Sequence, residues 1–210
     1  MSAPYPKRPS RPPVVLTRRA EDVIEVRPVL WRVHPTVGQH VLGWSTLRQW
    51  GPAVSARFDP HPMPTGQHPG LGVTYAATDL ATSVAEVFQY DRVIDTVTGR
   101  PKATSWQPIR PLRLLDLTGE WALRNGASHS FASGPRATCR AWARAIAATW
   151  PDLDGVSSLS TLTGRPVVAL WAPAADSFPA SPDFSEHLDA DSMVTVMFEI
   201  ARRYPSYRVI

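Results

Sequence analysis

The segment VTYAATDLATSVAEVF, residues 73–88, decides the fold class of this 210-residue chain. Its first five residues, 73–77, are mostly β-branched, aromatic or small, and they predict a short strand. Asp79 is a residue type that caps helices, and apolar side chains then recur at helical spacing. This spacing predicts a helix from about residue 80 to residue 90.

The rest of the chain mixes short strands, helices and loops. Residues 51–72 contain many Pro and Gly residues and predict a long loop, which in a compact domain is more often functional or mobile than filler. Residues 193–201 fit a helix, although residues 194–196 fit a strand equally well. This mixture predicts an α+β fold. Four further elements follow from the same patterns: strands over 29–33, 113–117 and 167–172, and a helix over 136–149.

Composition limits the classes of protein that fit the chain. A hydrophobic fraction of 43% and a charged fraction of 19% are typical of a globular domain. We find no apolar stretch of about 18 residues, so we expect no membrane span. The N-terminus is basic and proline-rich without an apolar run behind it, unlike a secretory signal. With Cys139 as the lone cysteine, an internal disulfide is excluded, and we expect a cytoplasmic protein.

Charge and composition also suggest a division of the chain. We expect residues 1–28 to form a flexible basic tail and residues 29–210 to form one folded domain. The net charge of +4 favours anionic partners such as nucleotides. Arg136, Arg140 and Arg144 repeat every four residues on one side of the predicted helix. They form either a solvated face or a docking face for an acidic partner.

Common catalytic motifs are missing from the sequence. There is no GxxxxGK[ST] phosphate loop and no GxGxxG turn. The six histidines lie scattered in predicted loops without the HExxH spacing of a metal site, so we expect no metal. Ser157, Ser158 and Ser160 lack the GxSxG context of a serine hydrolase.

Five polar residues then stand out as candidates for a site. They are Arg32 in LWRV, Arg57 in ARFDP, Tyr75 and Glu86 in the opening segment, and Ser160 in DGVSSLS. An arginine inside an apolar strand is uncommon without an anionic partner. Four of them have an ordinary structural alternative: a buried salt bridge for Arg32, a strand aromatic for Tyr75, a solvent-facing helix residue for Glu86 and a turn residue for Ser160.

In this order the motifs resemble the RES domain, which is named for its Arg, Glu and Ser residues. The resemblance runs from LWRV through RF, the Tyr-to-Glu segment, LLDLTG, DGVSSLS and VVALW, covering roughly residues 29–172. It implies an ADP-ribosyltransferase-like fold, in which a mixed sheet is flanked by helices. Residues 29–210 would then form an NAD-binding catalytic domain.

The resemblance also implies a function. RES proteins are typically toxins of bacterial toxin–antitoxin pairs, held inactive by an Xre-class antitoxin, so nucleic acid would be bound only through that antitoxin. Their known activities consume NAD by hydrolysis or phosphorolysis, and one branch is reported to ADP-ribosylate protein. NAD would be the substrate, with no further cofactor.

The residue types agree with this chemistry. Arginine binds phosphate through two parallel hydrogen bonds, so Arg32 and Arg57 are candidates to hold the diphosphate and ribose. Tyr75 could stack on the cationic nicotinamide ring. The carboxylate of Glu86 could stabilise the positive charge that builds on the ribose, and Ser160 could position it or bind the nicotinamide. By resemblance Arg32, Glu86 and Ser160 are the catalytic set, with Arg57 and Tyr75 as substrate-binding residues.

Two other functions remain open on the sequence alone. The same site could transfer ADP-ribose to a protein target. Alternatively, the basic face and tail could make the chain a non-catalytic binding module for an acidic protein or nucleic acid.

Overall fold

The computed structural model describes residues 6–210, which form a mixed sheet with helices packed against it. The twelve strands of the described residues are β1 (Val23–Val26), β2 (Leu30–His34), β3 (Trp50–Gly51), β4 (Gly66–Gln67), β5 (Val73–Ala77), β6 (Val93–Ile94), β7 (Lys102–Trp106), β8 (Leu112–Asp116), β9 (Gly155–Leu159), β10 (Pro166–Trp171), β11 (Phe184–His187) and β12 (Arg208–Val209). The α-helices are α1 (Leu80–Val87), α2 (Trp121–Arg124), α3 (Arg136–Thr149) and α4 (Asp191–Arg203).

Eight of these strands make one sheet in the order β1-β8-β9-β10-β5-β2-β7-β11. Neighbouring strands are antiparallel except for β8 and β9, which run parallel. The remaining strands form two small pairs, β3 with β4 and β12 with β6. The prediction of an α+β fold with a mixed sheet and flanking helices is therefore confirmed.

Strand alternation gives the sheet two differently covered faces. On one face, Val73 and Ala169 pack with α3 residues, and Val33 packs with α1 and α4 residues. On the other face, Leu30 and Leu170 belong to a cluster closed by Trp44, Trp106 and Phe178. The helices that carry candidate site residues thus lie on the first face.

Several predicted elements have the expected bounds. The strand 73–77 and the helix 136–149 are found as β5 and α3. The Asp79 cap is also confirmed, because its side chain accepts a hydrogen bond from the Thr82 N–H at 2.8 Å. The helix that follows ends at Val87, earlier than expected. The ambiguous region 193–201 lies within a helix, α4.

The described part of the N-terminal segment packs on the domain, although the sequence suggested a flexible tail. The Trp142 indole donates to the Pro9 carbonyl and the Trp121 indole to the Thr17 carbonyl, both at 3.0 Å. Leu16 is buried, and β1 extends the sheet beside β8. The physical reason is that two buried indole N–H groups need acceptors, and an extended chain with unpaired carbonyls supplies them.

None of the helices in the described residues is long and apolar enough to cross a membrane.

Candidate active site

The pairing of β5 with β10 brings two distant chain segments together. Ala77, at the end of β5, pairs with Val167 at the start of β10. The junction from β5 into α1 therefore lies beside the turn that connects β9 to β10. Thr82 of α1 and Thr163 of this turn are hydrogen-bonded through their hydroxyls at 2.9 Å, which fixes the turn against the helix.

Glu86 and Ser160 meet at this junction. The Ser160 hydroxyl lies 2.6 Å from Glu86 Oε1, and Ser160 is buried while Glu86 is half-buried. The same hydroxyl oxygen accepts the backbone N–H groups of Leu162 and Thr163, both at 3.1 Å. Because a hydroxyl has one proton and these amides occupy its oxygen as acceptor, that proton is directed to the carboxylate. The carboxylate of Glu86 is thus held by a donor from a different element.

The other carboxylate oxygen of Glu86 faces Gln89. Gln89 Nε2 donates to the Glu86 carbonyl at 2.7 Å and to Oε2 at 3.4 Å. Gln89 Oε1 accepts from Arg136 Nη2, in the first turn of α3, at 3.1 Å. A chain of hydrogen bonds therefore runs from Ser160 through Glu86 and Gln89 to α3.

Tyr75 lies close to a buried charged pair. Arg48 Nη2 binds Asp59 Oδ2 at 2.7 Å, and the other Asp59 oxygen contacts the ring of buried His61. Burial raises the pKa of Tyr75 and the Asp59 charge adds to the rise, while Arg48 and Arg140 oppose it. The phenol is neutral at pH 7, as an ordinary tyrosine also is. The desolvation acts at its hydroxyl, whereas 36% of the residue as a whole remains exposed.

Asp59 itself stays ionised despite its burial. Desolvation would raise its pKa, but hydrogen bonds from His61, the Ala53 N–H and Arg48 hold that pKa well below the usual range. The loop that carries Asp59 is therefore organised around a negative charge. The ion pair with Asp59 also orients Arg48, which lies near Tyr75.

Arg57 and Arg140 tie the same loop to α3. Arg57 Nη1 donates to the Gly134 carbonyl, two residues before the start of α3. Arg140 Nη1 donates to the Val54 and Ala56 carbonyls at 2.9 and 3.0 Å. The first half of α3 thus contacts both the loop with Arg57 and, through Arg136, the end of α1.

Arg32 lies apart from this group. Its Nη1 donates to the Trp44 carbonyl at 2.8 Å. Strand alternation places its side chain on the face of β2 shared by Leu30, opposite to Val33, which packs with α1. Burial and then repulsion by Arg48 lower the pKa of Arg32 to about 10, so it remains a cation at neutral pH.

The structure therefore brings together some of the five predicted residues and not others. Glu86 and Ser160 are in direct contact. In the described residues no hydrogen bond joins Arg57 or Tyr75 to this pair. Arg57 donates to the Gly134 carbonyl, and Tyr75 lies near Arg48 and Asp59. Arg32 does not join them, and its relation to Tyr75 is limited to a shared neighbouring charge, Arg48, which lowers the pKa of each.

The family model described as the RES domain matches residues 29–191 of the chain. The chain belongs to the RES family. Among solved structures, a chain of the crystal structure of the M. tuberculosis MbcT–MbcA toxin–antitoxin complex is similar to it, with a TM-score of 0.57 and 15% sequence identity. The similarity covers 86% of this chain and 92% of that chain. None of the curated proteins matched.

The arginine face of α3 in this RES domain is used internally. Arg136 binds Gln89, and Arg140 binds loop carbonyls. Burial and then repulsion by Arg140 lower the pKa of Arg144. The sequence suggested that these three arginines form a solvated face or a docking face. Two of them, Arg136 and Arg140, instead make contacts within the domain.

Two cavities lie on the α1 and α4 side of the RES domain. One, of about 410 Å³, is lined by residues that include Ala81 and Arg203. The other, of about 280 Å³, includes Ala85, Thr163 and Tyr207. The smaller cavity borders the turn that holds Ser160, but neither is lined by any of the five predicted residues.

The sequence analysis missed three polar residues of this region: Arg48, Asp59 and Gln89. Asp59 was within reach, because it follows the quoted ARF step and a buried carboxylate needs partners. Arg48 and Gln89 carry no local signal, since their partners lie in other elements. In the described residues no group of three or more His, Cys, Asp or Glu side chains is arranged to hold a metal ion.

Proposed function

We propose that this RES protein is the toxin of a toxin–antitoxin pair and that it cleaves the nicotinamide–ribose bond of NAD. The observation that carries the proposal is the 2.6 Å contact between the Ser160 hydroxyl and Glu86 Oε1. A serine proton aimed at a half-buried carboxylate fixes the orientation of its charge, which a reaction with a cationic transition state requires.

In the proposed reaction the C1′–nitrogen bond of NAD breaks, and its electron pair returns to the nicotinamide ring, which becomes neutral. Positive charge builds on the ribose, and the Glu86 carboxylate stabilises it, as carboxylates do in glycosidases. The oxygen of water or of phosphate then bonds to C1′. With water, one proton is released to solvent. NAD is the substrate, and the reaction needs no cofactor or metal.

The remaining residues supply substrate binding in this proposal. Tyr75, neutral and 36% exposed, offers an aromatic face to the nicotinamide cation. Arg57 offers a guanidinium to the diphosphate. The part predicted for Arg32 requires its guanidinium to leave the Trp44 carbonyl, and it stays a prediction.

The test is nicotinamide release from NAD by purified protein, with and without phosphate. We expect Glu86→Gln to lower the rate at least about 100-fold, because the shape is kept while the charge facing the transition state is lost. The control is the same change at an exposed side chain, Glu120→Gln, where 81% of the side chain is exposed. It should release nicotinamide at the wild-type rate. No release by the wild-type protein, or normal release by Glu86→Gln, would contradict the proposal.

A partner completes the proposed function. The structure of similar fold is that of a toxin–antitoxin complex, which supports an antitoxin for this chain, and the family resemblance points to the Xre class. Labelled NAD separates cleavage from the alternative, ADP-ribosylation of a protein. A free sugar product supports cleavage, whereas label retained on a protein band supports transfer.

A further inference from the structure

The carboxylate of Glu86 is contacted at both of its oxygens by neutral donors. Ser160 binds Oε1 at 2.6 Å and Gln89 Nε2 faces Oε2 at 3.4 Å. The Gln89 amide is anchored on the same residue, since Nε2 also donates to the Glu86 carbonyl at 2.7 Å. Neutral donors hold a carboxylate in place and leave its charge intact. A salt bridge would cancel that charge.

Arg136 holds the oxygen end of the Gln89 amide, whose NH₂ end is held by Glu86. Arginine has only donors, so the atom that it contacts at 3.1 Å must be the amide oxygen, Oε1. The amide NH₂ group is then directed to Glu86. Without Arg136 the amide oxygen loses its donor, and only the contacts with Glu86 restrain the side chain.

We propose that Gln89, held by Arg136, is a positioning residue for the Glu86 carboxylate. The inference rests on the proposed function of Glu86. Its consequence is that α3 acts on the reaction through a hydrogen bond to Gln89, just after the end of α1. Arg136 works through Gln89 and does not bind substrate itself.

The first test is a double-mutant cycle on nicotinamide release. We expect Arg136→Ala to lower kcat about tenfold with little change in KM, because a misplaced catalytic group slows the chemical step. Arg136→Lys keeps a donor and should retain most of kcat. In a Gln89→Ala background, Arg136→Ala should have no further effect, since the link is already broken.

The control is Arg202→Ala on α4, where the exposed arginine pairs with Glu199 and touches nothing in the candidate site. It should leave kcat and KM unchanged. A rise in KM for Arg136→Ala that persists in the Gln89→Ala background would mean that Arg136 binds NAD directly, and it would overturn the proposal. Unchanged kinetics in Arg136→Ala would overturn it as well.

The second test reads the carboxylate itself. Gln89→Glu places a like charge beside Glu86 Oε2 and should raise the pKa of Glu86, which a ¹³C NMR titration of the glutamate carboxyl carbons measures without NAD. The acid limb of the kcat profile should move to higher pH by the same amount. An unchanged Glu86 titration would overturn the positioning role. Absence of NAD cleavage by the wild type, with the titration shifted, would instead overturn only the proposed function.

Discussion

Ser160 Oγ and Glu86 Oε1 lie 2.6 Å apart, although 74 residues separate them in the chain. The contact exists because the end of β5 and the start of β10 are paired, so α1 and the β9–β10 turn leave the sheet at the same end of these two strands. A sequence comparison of the two segments alone would not reveal it. The pair gives the most direct test of the site.

Replacing Ser160 by Ala should slow NAD cleavage. The carboxylate loses its donor, so we expect kcat to fall about tenfold. The Leu162 and Thr163 amides lose their acceptor, so the free energy of unfolding should fall by about 1–2 kcal/mol. Nicotinamide release and urea unfolding measure the two effects. Ser192→Ala, at an exposed site on α4, is the control, and equal kinetics in both variants would count against the pairing.

The sequence predicted the elements that have a regular apolar pattern and missed those that do not. β5 and α3 were found with their bounds because their apolar residues repeat at strand or helix spacing. β9 was missed, since its GVSSL sequence has a glycine and two serines typical of a loop. Its backbone is paired on both sides, which the composition of the strand does not show.

Within the candidate site, the sequence suggested which residues to consider and left their geometry open. The family-like order of motifs pointed to Glu86 and Ser160 as partners in one site, and they are in contact. That same order could not show that Arg32 lies on the face of its strand opposite to Val33, because this depends on which face the helices cover. Gln89 and Arg136 come together only because the segment after α1 lies near the start of α3 in the fold.

Asp59→Asn should destabilise the protein. The buried carboxylate pairs with Arg48 and contacts His61, so neutralising it leaves these groups without their anion. We expect a loss of about 3 kcal/mol in the free energy of unfolding. Urea unfolding at pH 7 measures it. Asp189→Asn, at an exposed position, should have little effect, and an equally small change for Asp59→Asn would contradict the importance of the pair.

Deleting residues 1–18 should also destabilise the domain. The deletion removes the acceptors of the Trp121 and Trp142 indoles and the buried Leu16 side chain. The loss of two hydrogen bonds and of one buried apolar side chain should lower the free energy of unfolding by about 4 kcal/mol. A deletion of residues 1–5 keeps all of these contacts and serves as the control. Identical melting temperatures for the two deletions would show that the segment contributes nothing.

Stability should fall on mild acidification because of His34. This histidine is buried against Thr104, and desolvation together with the charge of Arg32 lowers its pKa to about 4. Between pH 6.5 and 4 the unfolded chain therefore binds a proton that the folded protein excludes, so stability declines as pH falls through this window and is unaffected above it.

At pH 4 the protonation of His34 in the unfolded chain should lower the free energy of unfolding by about 3 kcal/mol. Urea unfolding across the window measures it, with His34→Gln compared with the exposed control His129→Gln. The free energy of unfolding should depend less steeply on pH in His34→Gln than in the wild type. In His129→Gln the dependence should be unchanged. A wild-type slope in His34→Gln would assign the acid sensitivity to another group. The Asp59 contribution is lost only at lower pH, because its pKa lies below the usual range.

Arg140 binds the loop before Asp59 through main-chain carbonyls alone. Every amino acid presents the same carbonyl, so this attachment does not depend on which side chains the loop carries. The side chains of residues 53–56 can therefore change during evolution without loss of this attachment. A change of Arg140 would remove it. We expect relatives of this chain to keep the helix arginine while the loop sequence diverges.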